Sequence, residues 1–203
     1  MSKDKLKAIE AKYSSLLDDK KEQTSYKIEY VSAYVKEWLY VFANRPQDTP
    51  SINFIDCMCN AGIYKDGELG TPMRVLELFR EAAYQHPNRQ FNVFLNDNDA
   101  KRIEIIKEVA NEILGACPKN LSVFYACEDV NAYIGKVSYF NKQCKPFGCG
   151  TILFVDPYNF GAVKLQSLKA FLNEYYCELL YNIFTSDYVR RKTLKPRSDC
   201  IMA

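Results

Sequence analysis

INFIDCMCNAGIYKDGELGTP, residues 52–72, is the stretch on which the fold turns. A short apolar run, Ile52 to Ile55, is closed by Asp56, and Asn60, Ala61 and Gly62 follow before any helix can start. A strand that ends in an acid and then a small-residue turn is built to present backbone to a ligand.

The same unit recurs downstream. Apolar runs at 91–96 (FNVFLN), 121–126 (LSVFYA), 151–155 (TILFV) and 177–184 (CELLYNIF) read as strands. Between them, helical periodicity predicts helices over about 71–85, 99–114, 129–140 and 164–174. Strands that alternate with helices and are apolar on both faces predict a mostly parallel sheet with helices on both faces, an α/β Rossmann-like sandwich. Upstream, residues 3–21 read as a charged, solvated helix. SYKIEYVSAYVKEWLYVFAN, 25–44, reads as a second helix, with apolar residues at Ile28, Val31, Tyr34, Val35, Trp38 and Leu39. Trp38 and its stripe are expected in the core, and Lys27, which begins that stripe, reads first as a solvated lysine and alternatively as one that reaches the ligand pocket. The division is therefore an N-terminal helical extension, 1–50, and a ligand-binding core, 51–203, within one domain.

Composition narrows the chemistry. The 203 residues are 48% hydrophobic and 26% charged, enough for one core. No apolar run approaches the ~20 residues that span a bilayer, and the N-terminus has no apolar block of signal-peptide type, so a cytoplasmic protein without a membrane anchor is expected. The eight cysteines include two close pairs, Cys57 with Cys59 and Cys144 with Cys149, neither with the spacing of a zinc or redox motif; reduced thiols and no metal are expected. The single histidine, His86, sits in a turn, YQHPNRQ, which argues against imidazole catalysis. A net charge of +2 does not by itself call for nucleic acid. DYVRRKTLKPR near the C-terminus carries Arg190, Arg191, Lys192, Lys195 and Arg197 against one acid, and reads equally as a phosphate contact or a soluble tail.

In a parallel sheet, ligands bind at the carboxyl ends of the strands, near the point where the connections reverse. Those ends carry Asp56 with Asn60 to Gly62, then Asp97 and Asp99, then Glu128, Asp129 and Asn131, then Asp156, Pro157, Tyr158 and Asn159, and Asn182 onward. Acids at the edge of an apolar sheet are costly unless paired. A dinucleotide is a poor partner: G-x-G-x-x-G is missing, and Asp56 would repel a pyrophosphate. S-adenosylmethionine suits the acids better, its ammonium and sulfonium facing Asp56 and its ribose diol facing Asp97. Asp129 would accept from the adenine amino group, and the backbone N–H of Val130 would meet a ring nitrogen. Amino-methyltransferases use an acid, Asn or Ser followed by Pro-Pro and an aromatic to hold an amine and stack its base. Asp156, Pro157 and Tyr158 keep the acid, one proline and the aromatic. Asp99 and Asp129 also read as helix N-caps, and Tyr158 as a core residue.

FIDCMCNAG, GELGTP, VFLNDND, VDPYNFGAV and ELLYNIFTSDYVRR, in that order, resemble the three-Cys-motif partner protein family over roughly residues 25–191. That resemblance implies a class I methyltransferase-like fold and a companion protein with three clustered cysteines, similar to radical-SAM proteins. It aligns Asp56 and Gly62 with the family's first motif, Gly70, Thr71 and Pro72 with its G-S-P turn, Asp97 and Asp99 with its acidic pair, and Asp156, Pro157 and Tyr158 with its fourth motif. Asn60 replaces a glycine, and Asn is the least costly substitute where the backbone needs positive φ. No run for the sixth and seventh strands of a class I sheet follows, as expected of a shortened member or a piece of a longer protein, and strand 177–184 is expected as an apolar edge open to self-association, a partner or a covering segment. The function expected is methyl transfer from S-adenosylmethionine to an exocyclic amine of a nucleic-acid base; the alternative is a non-catalytic binding or scaffold subunit.

Overall fold

The apolar runs lie side by side: β1 (Ser51–Asp56) sits between β2 (Gln90–Asn96) and β4 (Cys149–Val155), with β3 (Leu121–Ala126) outside β2 and β5 (Glu178–Tyr181) outside β4. All four pairings are parallel. The computed structural model describes residues 3–45, 51–141, 149–159, 161–174 and 177–183. The basic stretch 190–197, Cys144 and the end of the run 177–184 lie outside the described residues.

Helices cover both faces. α1 (Lys3–Tyr13), α2 (Glu22–Ala43), α3 (Thr71–Gln85) and α4 (Ala100–Leu114) share one core with Ile52, Phe54, Phe91 and Phe154. α5 (Val130–Asn141) and α6 (Leu165–Glu174) close the other face over Ile55, Leu153 and Val155. This is the Rossmann-like α/β sandwich expected. The chain steps outward from β1 to β3 through α3 and α4, then α5 carries it back to the far side of β1 on the opposite face. Connections therefore reverse between β1 and β4, which opens a crevice at their carboxyl ends.

The N-terminal helices belong to the same core as the sheet. α2 buries Ile28, Val31, Val35, Trp38, Leu39 and Phe42. Trp38 stacks on Phe42 with ring centroids 4.3 Å apart, and its indole N–H donates to Glu178 Oε1 at 2.8 Å, which ties α2 to β5. The first helix is shorter than the expected 3–21: α1 stops at Tyr13, and a 3₁₀ turn, Ser14–Leu16, follows. Leu17 must enter the core, so the chain bends there instead of continuing as a solvated helix. α1 itself is half-buried, seating Leu6 and Ile9 while Lys12 and Tyr13 both reach Glu108 on α4.

The strands are not apolar on both faces throughout. On the α5 and α6 side a polar row crosses four strands near their amino ends: Asn92 donates to Asn53 at 2.8 Å, Asn53 to Thr151 at 3.2 Å, and Gln90 to Ser122 at 3.2 Å. Because the row satisfies itself, its burial is tolerated. No described helix is long and apolar enough to cross a membrane.

Gly150 is where α2 presses closest on the sheet. A Cβ there would meet Phe42 Cδ1 at 2.4 Å, and Phe42 is pinned by Trp38 on one side and by the Arg45 guanidinium, 3.9 Å from its ring centroid. Gly150→Ala should cost about 1–3 kcal/mol in urea unfolding, and adding Phe42→Leu should recover part of that loss.

Candidate functional site

The run through Phe54 and Ile55 is fully buried, so the strand delivers Asp56 to the crevice with almost no contact with water: it is 1% exposed. Its Oδ1 accepts from the Met58 N–H at 3.1 Å, and its Oδ2 has no partner among the described residues. Desolvation pushes the Asp56 carboxyl up to about 8; Asp156 and Asp97 add to the rise, while the Met58 N–H and Lys27 oppose it.

The small-residue turn after Asp56 takes the shape its composition predicts. Asn60 has φ 57° and Gly62 φ 74°, both left-handed, and Asn tolerates that region at least cost among larger residues. At Gly62 a side chain is also excluded by packing, since a Cβ would lie 2.8 Å from Met73 Cγ and 2.9 Å from Ile106 Cγ1. The Gly62 carbonyl accepts from the Gly70 N–H at 2.8 Å, which folds the loop back so that α3 starts at Thr71 beside the turn.

Across the crevice, β4 delivers Asp156. Its Oδ2 forms an ion pair with Lys27 of α2, and its Oδ1 accepts from the Asn182 amide at 2.6 Å. Pro157 is buried beside it, and Tyr158 is exposed, its hydroxyl bonded to Arg102 of α4. Arg102 also lies 3.9 Å from Asp97 and 3.6 Å from Asp18.

These groups surround a cavity of about 460 Å³, a size suited to a small ligand. Asp56, Asn60, Gly62, Asp156, Pro157 and Tyr158 line it. So do Asp18, Asp19, Lys21 and Thr24, from the bend between α1 and the first turn of α2. That bend is strapped down: Asp18 accepts from the Asn60 amide at 2.8 Å, Asp19 pairs with Lys65 at 3.0 Å, and Lys20 pairs with Glu68.

Four expected contacts do not line the cavity: Ala61, Asp97, Asp129 and Val130. Asp97 is buried and organises the turn, Oδ2 accepting from the Asn60 N–H at 3.0 Å and Oδ1 from the Asp99 N–H at 3.0 Å. Asp129 is exposed and caps α5, accepting from the Asn131 and Ala132 N–H groups at 2.9 and 3.2 Å. Asp99 caps α4 through the Lys101 N–H at 2.8 Å. Val130 is buried on the α5 side.

Lys27 follows the second of its two sequence readings, and Asn96, which does not line the cavity, braces it without any forecast from the sequence. Lys27 is not in solvent: its side chain is 20% exposed and lines the cavity. Its sequence signal is its place on the buried stripe, four residues before Val31. Asn96 joins three strand ends, donating to the carbonyls of Cys57 and Glu128 at 3.0 Å each, and only its position before the LNDND acids hints at this. Cys57 and Cys59 are buried and free, their thiols raised by burial. Among the described residues no group of three His, Cys, Asp or Glu side chains could hold a metal ion.

Comparison of the chain with protein-family models finds no match, and comparison with curated proteins finds none either.

The raised Asp56 carboxyl has a signed consequence for stability. Between its ordinary 3.8 and about 8, the folded chain keeps a proton that the unfolded chain gives up. Stability from this group is therefore complete below 3.8 and is lost as pH rises toward 8. Urea unfolding of the parent across this window should show that decline, and Asp56→Asn should flatten it.

Proposed function

We infer that the protein is an S-adenosylmethionine-dependent methyltransferase acting on an exocyclic amine of a nucleic-acid base. The observation that carries this reading is the unpartnered Oδ2 of Asp56, buried in the wall of a cavity at the switch point with Asp156, Pro157 and Tyr158 opposite. A buried carboxyl oxygen without a donor asks for a cation or a hydrogen-bond donor. Asp56 and the turn at Asn60 and Gly62 would hold the ammonium and sulfonium end. The contacts expected of Asp97 to ribose and of Asp129 to adenine find no support in the lining of the cavity.

When bound, the cofactor would supply an electrophilic methyl group for the amine nitrogen, with the C–S electron pair retained by its sulfur and one amine proton released, and Asp56 with the turn at Asn60 and Gly62 would hold it. The chain's part is alignment. Asp156 keeps lone pairs beyond those used by Lys27 and Asn182, so it can still accept from an amine and pass its proton toward solvent. The exposed ring of Tyr158 offers a face on which a base can stack. The motif resemblance to three-Cys-motif partner proteins supports the same assignment and adds a radical-SAM-like companion as a candidate partner.

A scaffold reading is favoured by one surface. Tyr26, Tyr30, Tyr40 and Val41 are exposed on one side of α2, and Ile183 is exposed just past β5, an edge strand among the described residues. Aromatic stripes of this kind are the material of protein interfaces. In that reading the cofactor fold serves a partner and transfers nothing.

Calorimetry with S-adenosylmethionine tests the assignment. Binding should release a proton from Asp56 below pH 8, read as a buffer-dependent heat, and Asp56→Asn should weaken binding about tenfold or more. Tyr158→Ala should lower transfer of labelled methyl to DNA or RNA while cofactor affinity stays within about twofold, and Tyr158→Phe should keep most transfer. A folded protein that binds no S-adenosylmethionine refutes the assignment; binding without transfer to any nucleic acid leaves the scaffold.

A further inference from the structure

Lys27 is a lysine that the fold brings inside. It reaches from the buried stripe of α2 into the cavity and pairs with Asp156 Oδ2. The two side chains are 20% and 19% exposed, so both are screened from bulk water yet reachable from the cavity. A lysine ammonium carries three hydrogens, and one is used on Asp156. The other two have no hydrogen-bond partner among the described residues. An ammonium screened from bulk water with two free donors facing a cavity is placed to donate to an acceptor brought in by a ligand. On the carboxylate, Asn182 and Lys27 take two of roughly four lone-pair positions, so acceptor capacity remains beside that donor.

We propose that Lys27 and Asp156 together read the edge of the acceptor: Asp156 accepts from an exocyclic amine while the Lys27 ammonium donates to the ring nitrogen beside that amine. This rests on the methyltransferase reading and narrows its substrate to amino-substituted heterocycles. Adenine and cytosine both present an amine next to an unprotonated ring nitrogen on the edge that a flipped base offers. A protonated aliphatic amine offers no acceptor, and its charge faces Lys27 at close range. A lysine side chain is therefore the wrong substrate for this site. Lys27 is on this account a specificity-determining residue, and Asn182 a positioning residue that holds the Asp156 carboxylate from the end of β5.

The test separates the ring nitrogen from the amine. The full chain, saturated with S-adenosylhomocysteine so that the adenine end of the cofactor site is filled, is titrated by nuclear magnetic resonance with four probes. These are 9-methyladenine, its 1-deaza analogue, 1-methylcytosine and its 3-deaza analogue; each deaza analogue keeps the amine and loses the ring acceptor. The parent should bind at least one natural base about tenfold more tightly than its deaza analogue, the worth of a charge-assisted hydrogen bond. Lys27→Met, which keeps the buried stem, should bring that ratio to about one. Lys27→Gln, which keeps a donor, should retain part of it. Equal binding of natural and deaza bases by the parent overturns the proposal, as does a ratio unchanged in Lys27→Met, or a folded parent that binds S-adenosylhomocysteine but none of the four bases. Failure of S-adenosylhomocysteine to bind, with base discrimination intact, refutes the cofactor assignment and leaves the role of Lys27 standing.

Discussion

A carboxyl group buried at the end of the central strand is the constraint around which the rest of this structure is arranged. Asp56 closes β1 between two neighbours whose connections leave to opposite faces, so its side chain arrives where the sheet opens, in the wall of the cavity and almost out of contact with water. One oxygen is satisfied by the turn that Asp56 itself begins, through the Met58 N–H, and the other is left over. An apolar strand would have sealed this edge at no electrostatic cost. An acid there, with a second carboxylate at Asp156 in the same cavity, supports the proposal that the cavity holds positive or hydrogen-donating groups.

The N-terminal helices complete that arrangement. α2 shares the core of the sheet through Val35, Trp38 and Phe42, and this packing fixes the angle at which Lys27 enters the cavity. The bend before α2 forms the outer wall, held by Asp18 on Asn60 and by the pairs of Asp19 and Lys20 with the 65–68 turn. Those pairs are exposed, so each contributes little to stability. Their effect is positional: they tie the first helical segment to the loop between β1 and α3, and the cavity lies behind the tie.

Periodicity made the sheet legible, and chemistry made only half of the site so. Each apolar run gave a strand within two residues at its start, because β-branched and aromatic residues flanked by turns mark where a strand begins, although the last run, read as 177–184, pairs only over Glu178–Tyr181. The left-handed turn was readable from Asn60 and Gly62, since few other residues tolerate positive φ. Acids at strand ends were ambiguous because one residue type serves three uses. Asp56 faces the cavity, Asp97 spends both oxygens on backbone amides, and Asp129 caps a helix. Local sequence cannot separate these uses, as the deciding partners come from turns two residues onward or from another strand end. Lys27 stayed ambiguous between solvent and pocket for a related reason. Its partner Asp156 is 129 positions away, and a lysine beside an exposed tyrosine looks solvated until the helix is docked.

Lys27 and Asp56 also bear on each other. The Lys27 charge opposes the rise of the Asp56 carboxyl but is spent mainly on Asp156, so desolvation prevails at Asp56 and its proton is retained near neutrality. Were the lysine shared equally between the two acids, Asp56 would ionise more readily and the cavity would carry a standing negative charge. The observed pairing instead leaves one neutral carboxyl and one compensated carboxylate. A cation that enters beside β1 can then draw a proton off Asp56 and meet a fresh negative charge, while at β4 a neutral molecule meets the compensated Lys27–Asp156 pair, with Asp18, Asp19 and Lys21 on the outer wall. On the proposed function, the two halves of the cavity would therefore take two different ligand groups, a cationic one at β1 and a neutral donor–acceptor edge at β4.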